Sequence, residues 1–209
     1  MTETCPCNDA VFLSSVDGIH ALPGLLRLLA RGEPVDVDEL VEVAGPAGAD
    51  LGRVVRAQPG AEWDADGRLA GFGLTTRPTG YRFSFAGKTL YTWCASDTLF
   101  FTVILGERTV AEAKCPATGV PIRLDLTPEA VTSVTPPGAV VSQRHRQDLV
   151  GNLRGDVCDH GHFFASQDAA AGWLAAHPDG QLLSIAEAFA ECRAACAELG
   201  WLTPEVPSP

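Results

Sequence analysis

The sequence predicts an α+β protein: an N-terminal three-helix, winged-helix-like domain, then a core of small antiparallel sheets with flanking helices. Three observations carry this expectation. Apolar residues recur at helical spacing in three segments before residue 60, and a tight-turn pair, Asp66-Gly67, follows them. Strand-like alternation then fills residues 73–93. Two amphipathic helical patterns, 167–176 and 184–199, close the chain. The expected organisation is a flexible N-terminus at 1–15, the helical domain at 16–78, an α+β domain at 79–202 and a flexible tail at 203–209.

The first helical pattern covers 16–31, with Ile19, Leu22, Leu25, Leu26, Leu28 and Leu29 on one side. Pro23 and Gly24 kink it or delay its start, and Gly32 ends it. Asp36 and Glu39 have the spacing of a capping box, which opens a second helix to about residue 44. Gly45, Pro46 and Gly48 break it, and a third helix follows at 49–57. Residues 62–70 form a hairpin around Asp66-Gly67. In the meander, Tyr81, Phe83 and Phe85 alternate, and Ala86-Gly87-Lys88 turns the chain into Leu90, Tyr91 and Trp93. A helix begins at or near Cys94 and carries a long apolar run.

Strands are expected at 109–114 and 120–126, joined by Cys115-Pro116-Ala117-Thr118-Gly119. Thr127-Pro128-Glu129 should open a helical turn, with Pro at its favoured first position. Strands should flank Pro136-Pro137-Gly138, near 132–135 and 139–143. Polar residues 144–156 suit a loop over a site, and 157–166 reads as one more strand.

The chain has 209 residues, 46% of them hydrophobic, and a formal net charge of −11. That is enough for one sizeable core, or for two small domains. No apolar run is long enough to span a membrane, and the first residues have neither the basic nor the apolar region of a signal peptide. The expected compartment is the cytoplasm, where thiols stay reduced. Residues 1–60 hold four Arg and no Lys against nine Asp and Glu. A DNA-reading helix needs cations, so the helical domain reads as structural and nucleic acid is not expected as a partner; the net negative charge likewise argues against an anionic membrane surface.

Seven cysteines are many for such a chain, and their spacings fit no common disulfide framework. Cys94 lies where a strand delivers the chain to a helix start, and the helix dipole there favours thiolate over thiol. Asp97, three residues on, falls on the same helix face. A nucleophilic sulfur and a proton-carrying carboxyl are thus neighbours. The plainer reading is a small core residue followed by a first-turn acid. Cys158, His160 and His162 alternate, so on a strand they share a face and can build a zinc site with Cys94 or Cys115, although no C-x-x-C is present; the plainer reading of the two histidines is as ordinary hydrogen-bonded strand residues. Cys5 and Cys7 can capture a soft metal or belong to an unstructured tail. Cys115 reads as a structural thiol, and Cys192 and Cys196 as small buried residues of the last helix.

The run Leu90-Tyr91-Thr92-Trp93-Cys94-Ala95-Ser96-Asp97-Thr98-Leu99 resembles the active-site segment of the organomercurial lyases (alkylmercury lyases). Cys115-Pro116-Ala117-Thr118-Gly119 resembles that family's C-x-A-T-G turn. Cys158 with His160, His162, Phe163, Phe164, Ala165 and Ser166 resembles its C-terminal cysteine segment. The Asp66-Gly67 hairpin and Gly71-Phe72-Gly73-Leu74-Thr75 fit as well. The resemblance implies protonolysis of a carbon–mercury bond to a hydrocarbon and Hg(II), with 79–202 as the catalytic domain. It implies Cys94 and Cys158 as mercury-binding thiols, Asp97 as proton carrier beside the bound Hg(II) product, and Cys115 as structural. No organic cofactor is implied. Small thiols or a mercuric reductase would accept the product. Asp159 departs from members that carry a second adjacent cysteine, and Cys5 and Cys7 are additions.

Two other functions compete. A soft-metal (mercury) binding regulator or scavenger would suit the helical start and the thiols, but gives Asp97 no role. A zinc-dependent enzyme would use Cys94, Cys158 and His160 or His162.

Overall fold

A computed structural model describes residues 16–144 and 151–202. The expected flexible ends at 1–15 and 203–209, with Cys5 and Cys7, lie outside the described residues, as do 145–150 of the expected loop.

After a 3-10 turn at Ile19–Ala21, helix α1 (Leu22–Leu29) carries Pro23 in its first turn, where a missing N–H is no loss. Leu22, Leu25, Leu26, Leu28 and Leu29 are buried. Helix α2 (Glu39–Ala57) is two helices joined at Gly45, whose φ of 57° and ψ of −137° leave the helical region. The predicted break is therefore present. The predicted capping box is not. Asp36 Oδ1 accepts the Asp38 N–H at 3.0 Å, a local turn one step before the helix, and Glu39 pairs with Arg31 at 2.8 Å.

The first sheet has eight antiparallel strands in the order β1-β2-β3-β5-β4-β6-β7-β8. They are β1 (Glu62–Trp63), β2 (Leu69–Phe72), β3 (Leu74–Thr75), β4 (Tyr81–Phe85), β5 (Lys88–Thr92), β6 (Thr109–Lys114), β7 (Pro121–Leu126) and β8 (Val131–Thr135). The hairpin that follows the helices is continuous with this sheet, because β3 pairs with both β2 and β5. The second sheet has three strands, β9 (Val140–Arg144) between β10 (Phe163–Phe164) and β11 (Gly180–Ser184). The chain crosses from one sheet to the other through Pro136-Pro137-Gly138.

Helix α3 (Ala95–Leu105) runs through the middle, packed on α1 and on α6 (Ile185–Glu198). Its residues are apolar on nearly every side, as a helix covered all round requires. Helix α5 (Gln167–Ala176) starts at Ser166, whose side chain accepts the Ala169 N–H at 3.2 Å. Ser184 and Glu187 form the capping box of α6. Among the described residues no helix is long and apolar enough to cross a membrane.

Two further expectations are corrected. Residues 127–130 are not a helical turn: Thr127 and Ala130 exchange both backbone bonds, so Pro128-Glu129 is the tip of the β7–β8 hairpin. Residues 157–166 are not one strand. A short helix α4 (Leu153–Asp156), capped by Asn152, leads into a 3-10 turn at Cys158–His160, and only then comes β10. Strand β11 had no expectation; its residues are half-exposed and take their order from β9.

Candidate active site

Strand β5 ends at Thr92 and Trp93 N–H reaches back to Gly73 O at 2.9 Å, which fixes the chain as it enters α3. Cys94 is the residue before the first helical one, in extended backbone (φ −142°, ψ 174°). Its sulfur accepts the Asp97 N–H, and its own N–H donates to Asp97 Oδ2 at 3.2 Å. Cysteine and aspartate thus form the helix's capping box. The bonds that start the helix also set the thiol and the carboxyl side by side.

Cys158 arrives from 61 residues away on the 3-10 turn. That turn docks on the start of α3 through Gly161, whose carbonyl accepts the Ala95 N–H at 3.1 Å. The approach is close: a Cβ at Gly161 would lie 3.3 Å from Cys94 Cβ and 3.5 Å from its Sγ. Cys158 Sγ points at Asp97 Oδ2, 3.9 Å away. Among the described residues, Cys94, Asp97 and Cys158 are the one group of three metal-ligating side chains that converges, with ligand atoms within 4.8 Å of one another. Both cysteines are buried and Asp97 is partly so. Taking a thiolate–zinc bond of about 2.3 Å as a guide, two such bonds end to end span about 4.6 Å, so one soft ion fits between the sulfurs.

Burial raises the Asp97 pKa to about 7, against hydrogen bonds from Cys94, Trp93 N–H and Cys158 that favour its charged form. The two thiols are unequal. Hydrogen bonding between the two sulfurs favours a Cys94 thiolate, but burial and the Asp97 charge outweigh it and leave Cys94 raised overall. The same bond, with burial and Asp97, pushes Cys158 up further. The expectation that the helix start would favour thiolate at Cys94 is therefore corrected: the N–H bond is made, but burial beside a carboxylate prevails.

The expected alternation of Cys158, His160 and His162 on a strand is not found, and neither histidine joins the trio. His162 Nδ1 meets Tyr81 Oη at 2.7 Å, while His160 faces Arg144 at 3.4 Å and the ring of His177. Cys115, buried in its turn, also stands apart; burial raises its pKa, but the Thr118 hydroxyl and the N–H groups of Ala165, Thr118 and Ala117 lower it further. Cys192 and Cys196 are fully buried in the core on α6.

Other residues shape the site without a sequence signal. Buried Glu62 accepts Trp93 Nε1–H at 2.9 Å, the Thr75 hydroxyl at 2.8 Å and Arg154 at 3.0 Å. The Arg154 guanidinium lies 4.9 Å from the Trp93 ring centroid. Tyr81 donates to Gly161 O at 3.1 Å. These contacts span 13 to 92 residues, beyond the reach of a local pattern.

Comparison with known proteins adds independent findings. Residues 74–196 match the family model described as alkylmercury lyase, and residues 16–73 match the one described as the helix-turn-helix domain of alkylmercury lyase. The chain is 42% identical over 165 residues to an alkylmercury lyase of Streptomyces lividans, covering 79% of this chain and 76% of that protein. It is 41% identical over 165 residues to one of Bacillus cereus, covering 79% and 75%. The solved structure described as the mercury-bound form of MerB2 superposes with a TM-score of 0.67, covering 94% of this chain and 93% of that one; at 20% identity the likeness shows the fold.

Proposed function

The chain belongs to the alkylmercury lyase family, and from that membership we propose that Cys94, Cys158 and Asp97 carry out its reaction. The protein is an organomercurial lyase: it splits a carbon–mercury bond by protonolysis into a hydrocarbon and Hg(II). The observation that supports the residue assignment is the convergence of two sulfurs and one carboxyl oxygen within 4.8 Å.

The proposed sequence begins with Cys94, the less strongly raised of the two thiols. Its sulfur displaces the ligand that accompanies R–Hg, and its proton leaves on that ligand. Cys158 then gives its proton to Asp97 Oδ2, to which it already points, and its sulfur becomes the second mercury ligand. Two thiolates push electron density onto the carbon. Protonated Asp97 delivers the proton to that carbon as the carbon–mercury bond breaks. The products are R–H and Hg(II) held by Cys94 and Cys158 beside the restored Asp97 carboxylate. Two external thiols, free or on a protein such as a mercuric reductase, exchange for the site sulfurs and take the metal. No step calls for an organic cofactor. No disulfide joins the five cysteines among the described residues, which suits a reducing cytoplasm. The acidic helical segment, 16–78, serves as a structural module beside the catalytic 79–202.

In deuterated water the proposal expects one CH3D per Hg(II) formed from methylmercury, measured by gas-phase mass spectrometry of the wild-type reaction. A folded wild type that binds mercury and releases no hydrocarbon would replace the lyase by a scavenger.

A further inference from the structure

We infer that Tyr81 is a positioning residue: its hydroxyl, between the Gly161 carbonyl and the His162 ring, holds the Cys158 loop against the helix start that carries Cys94 and so sets the sulfur–sulfur spacing. The inference rests on the joint-ligand reading of those two cysteines.

Tyr81 opens β4 and is the register partner of Thr92, two residues before Cys94. Its hydroxyl lies 3.1 Å from Gly161 O and 2.7 Å from His162 Nδ1. A hydroxyl has one proton. Given to Gly161 O, it requires His162 to carry its hydrogen on Nδ1 and donate it to Tyr81, which fixes the tautomer. The Gly161 carbonyl also accepts the Ala95 N–H at 3.1 Å. One oxygen therefore joins β4, the first turn of α3 and the loop of Cys158. From the far side, Ser142 Oγ on β9 accepts His162 N–H at 3.0 Å and donates to His160 O at 2.9 Å. The loop is thus pinned on both flanks of Gly161, which lies so near Cys94 that an added Cβ would stand 3.3 Å from the Cys94 Cβ. Without the Tyr81 hydroxyl, the bond to Ala95 is left alone to hold that side.

Two-coordinate binding of mercury tolerates little error in sulfur spacing, and small misplacements of reacting groups are costly in rate. The test compares Tyr81→Phe, which keeps the ring and its edge contact with Phe163, with two variants at 162. His162→Asn keeps a donor near the Nδ1 position, and His162→Phe keeps the ring alone. Three quantities are read: kcat and KM for methane release from methylmercury, Hg(II) retention against a competing dithiol, and the near-ultraviolet sulfur-to-mercury band of the loaded protein. Tyr81→Phe and His162→Phe should each lose about tenfold in kcat and in retention, with KM within about threefold and a shifted band. His162→Asn should stay within about threefold of wild type.

Wild-type kcat and retention in Tyr81→Phe would overturn the inference, as would His162→Phe outperforming His162→Asn, the pattern of a space-filling role. Cys158→Ser is assayed alongside. If it turns over like wild type, the joint-ligand reading fails and takes this inference with it. If it is inactive while Tyr81→Phe is unchanged, the positioning role fails alone.

Discussion

In the proposed mechanism Asp97 joins two roles whose requirements conflict. As the third helical residue of α3 it caps the helix best when ionised, yet as a proton carrier it must hold a proton near neutrality. Burial decides the matter and lifts its pKa from the ordinary 3.8 to about 7. The sign of the linkage follows. Between about pH 4 and pH 7 the folded chain holds a proton that the unfolded chain lacks, so stability falls as pH rises through this window and stays lower above it. A shift of this size corresponds to at most about 4 kcal/mol; discounted for the partial exposure of Asp97, we expect about 2 kcal/mol. Asp97→Asn should therefore raise stability at pH 8 by about 2 kcal/mol and by much less at pH 4.5, measured by urea unfolding at both values. In a single turnover from the preformed wild-type complex, hydrocarbon release should slow as pH rises above about 7, because the carboxyl loses the proton it delivers. A rate flat to pH 9 would remove Asp97 from the proton path.

At the scale of elements, α3 and the strands around it hold the site in place. Gly73, between β2 and β3, has φ +70°, and a Cβ there would lie 2.7 Å from the Phe101 ring on α3. Gly73→Ala combines backbone strain with overpacking directly behind Trp93 and Cys94, so it should destabilise by about 2 to 3 kcal/mol. Thermal unfolding of the variant checks this, and a loss below about 0.5 kcal/mol would mean that the ring moves freely aside. Most of these elements were legible in the sequence because their signals are local. The 109–114 strand and the 167–176 helix lie where alternation and helical spacing put them, and the Cys94-to-Asp97 pair could be read off a strand-to-helix junction. The Cys158 turn was not legible as such. Alternating Cys, His and His suits a strand, but the chain there is held by Ser142, Tyr81 and Ala95 from three distant elements. The resemblance to a known family, not the periodicity, supplied its pairing with Cys94.

The whole molecule is tied together across the boundary that the sequence suggests between helices and sheet. The core that contains Leu25, Leu40 and Leu51 continues without a gap through Leu74, Leu99 and Ile104 to Phe189. Glu62, on the hairpin after the helices, holds Trp93 beside one site cysteine and Arg154 shortly before the other. We expect a single cooperative unfolding transition, with helix content and tryptophan fluorescence lost together in urea. Two separated transitions would mean that the helical part folds independently. The central claim is that two sulfurs and one carboxyl act on the same carbon–mercury bond. Its most direct test is headspace gas chromatography of methane from methylmercury with excess small thiol, for wild type and for Cys94→Ser, Cys158→Ser and Asp97→Ala. The account predicts repeated turnover by wild type and a loss of at least about 100-fold in each variant, with Asp97→Ala still retaining mercury. Any one variant turning over at the wild-type rate would contradict it.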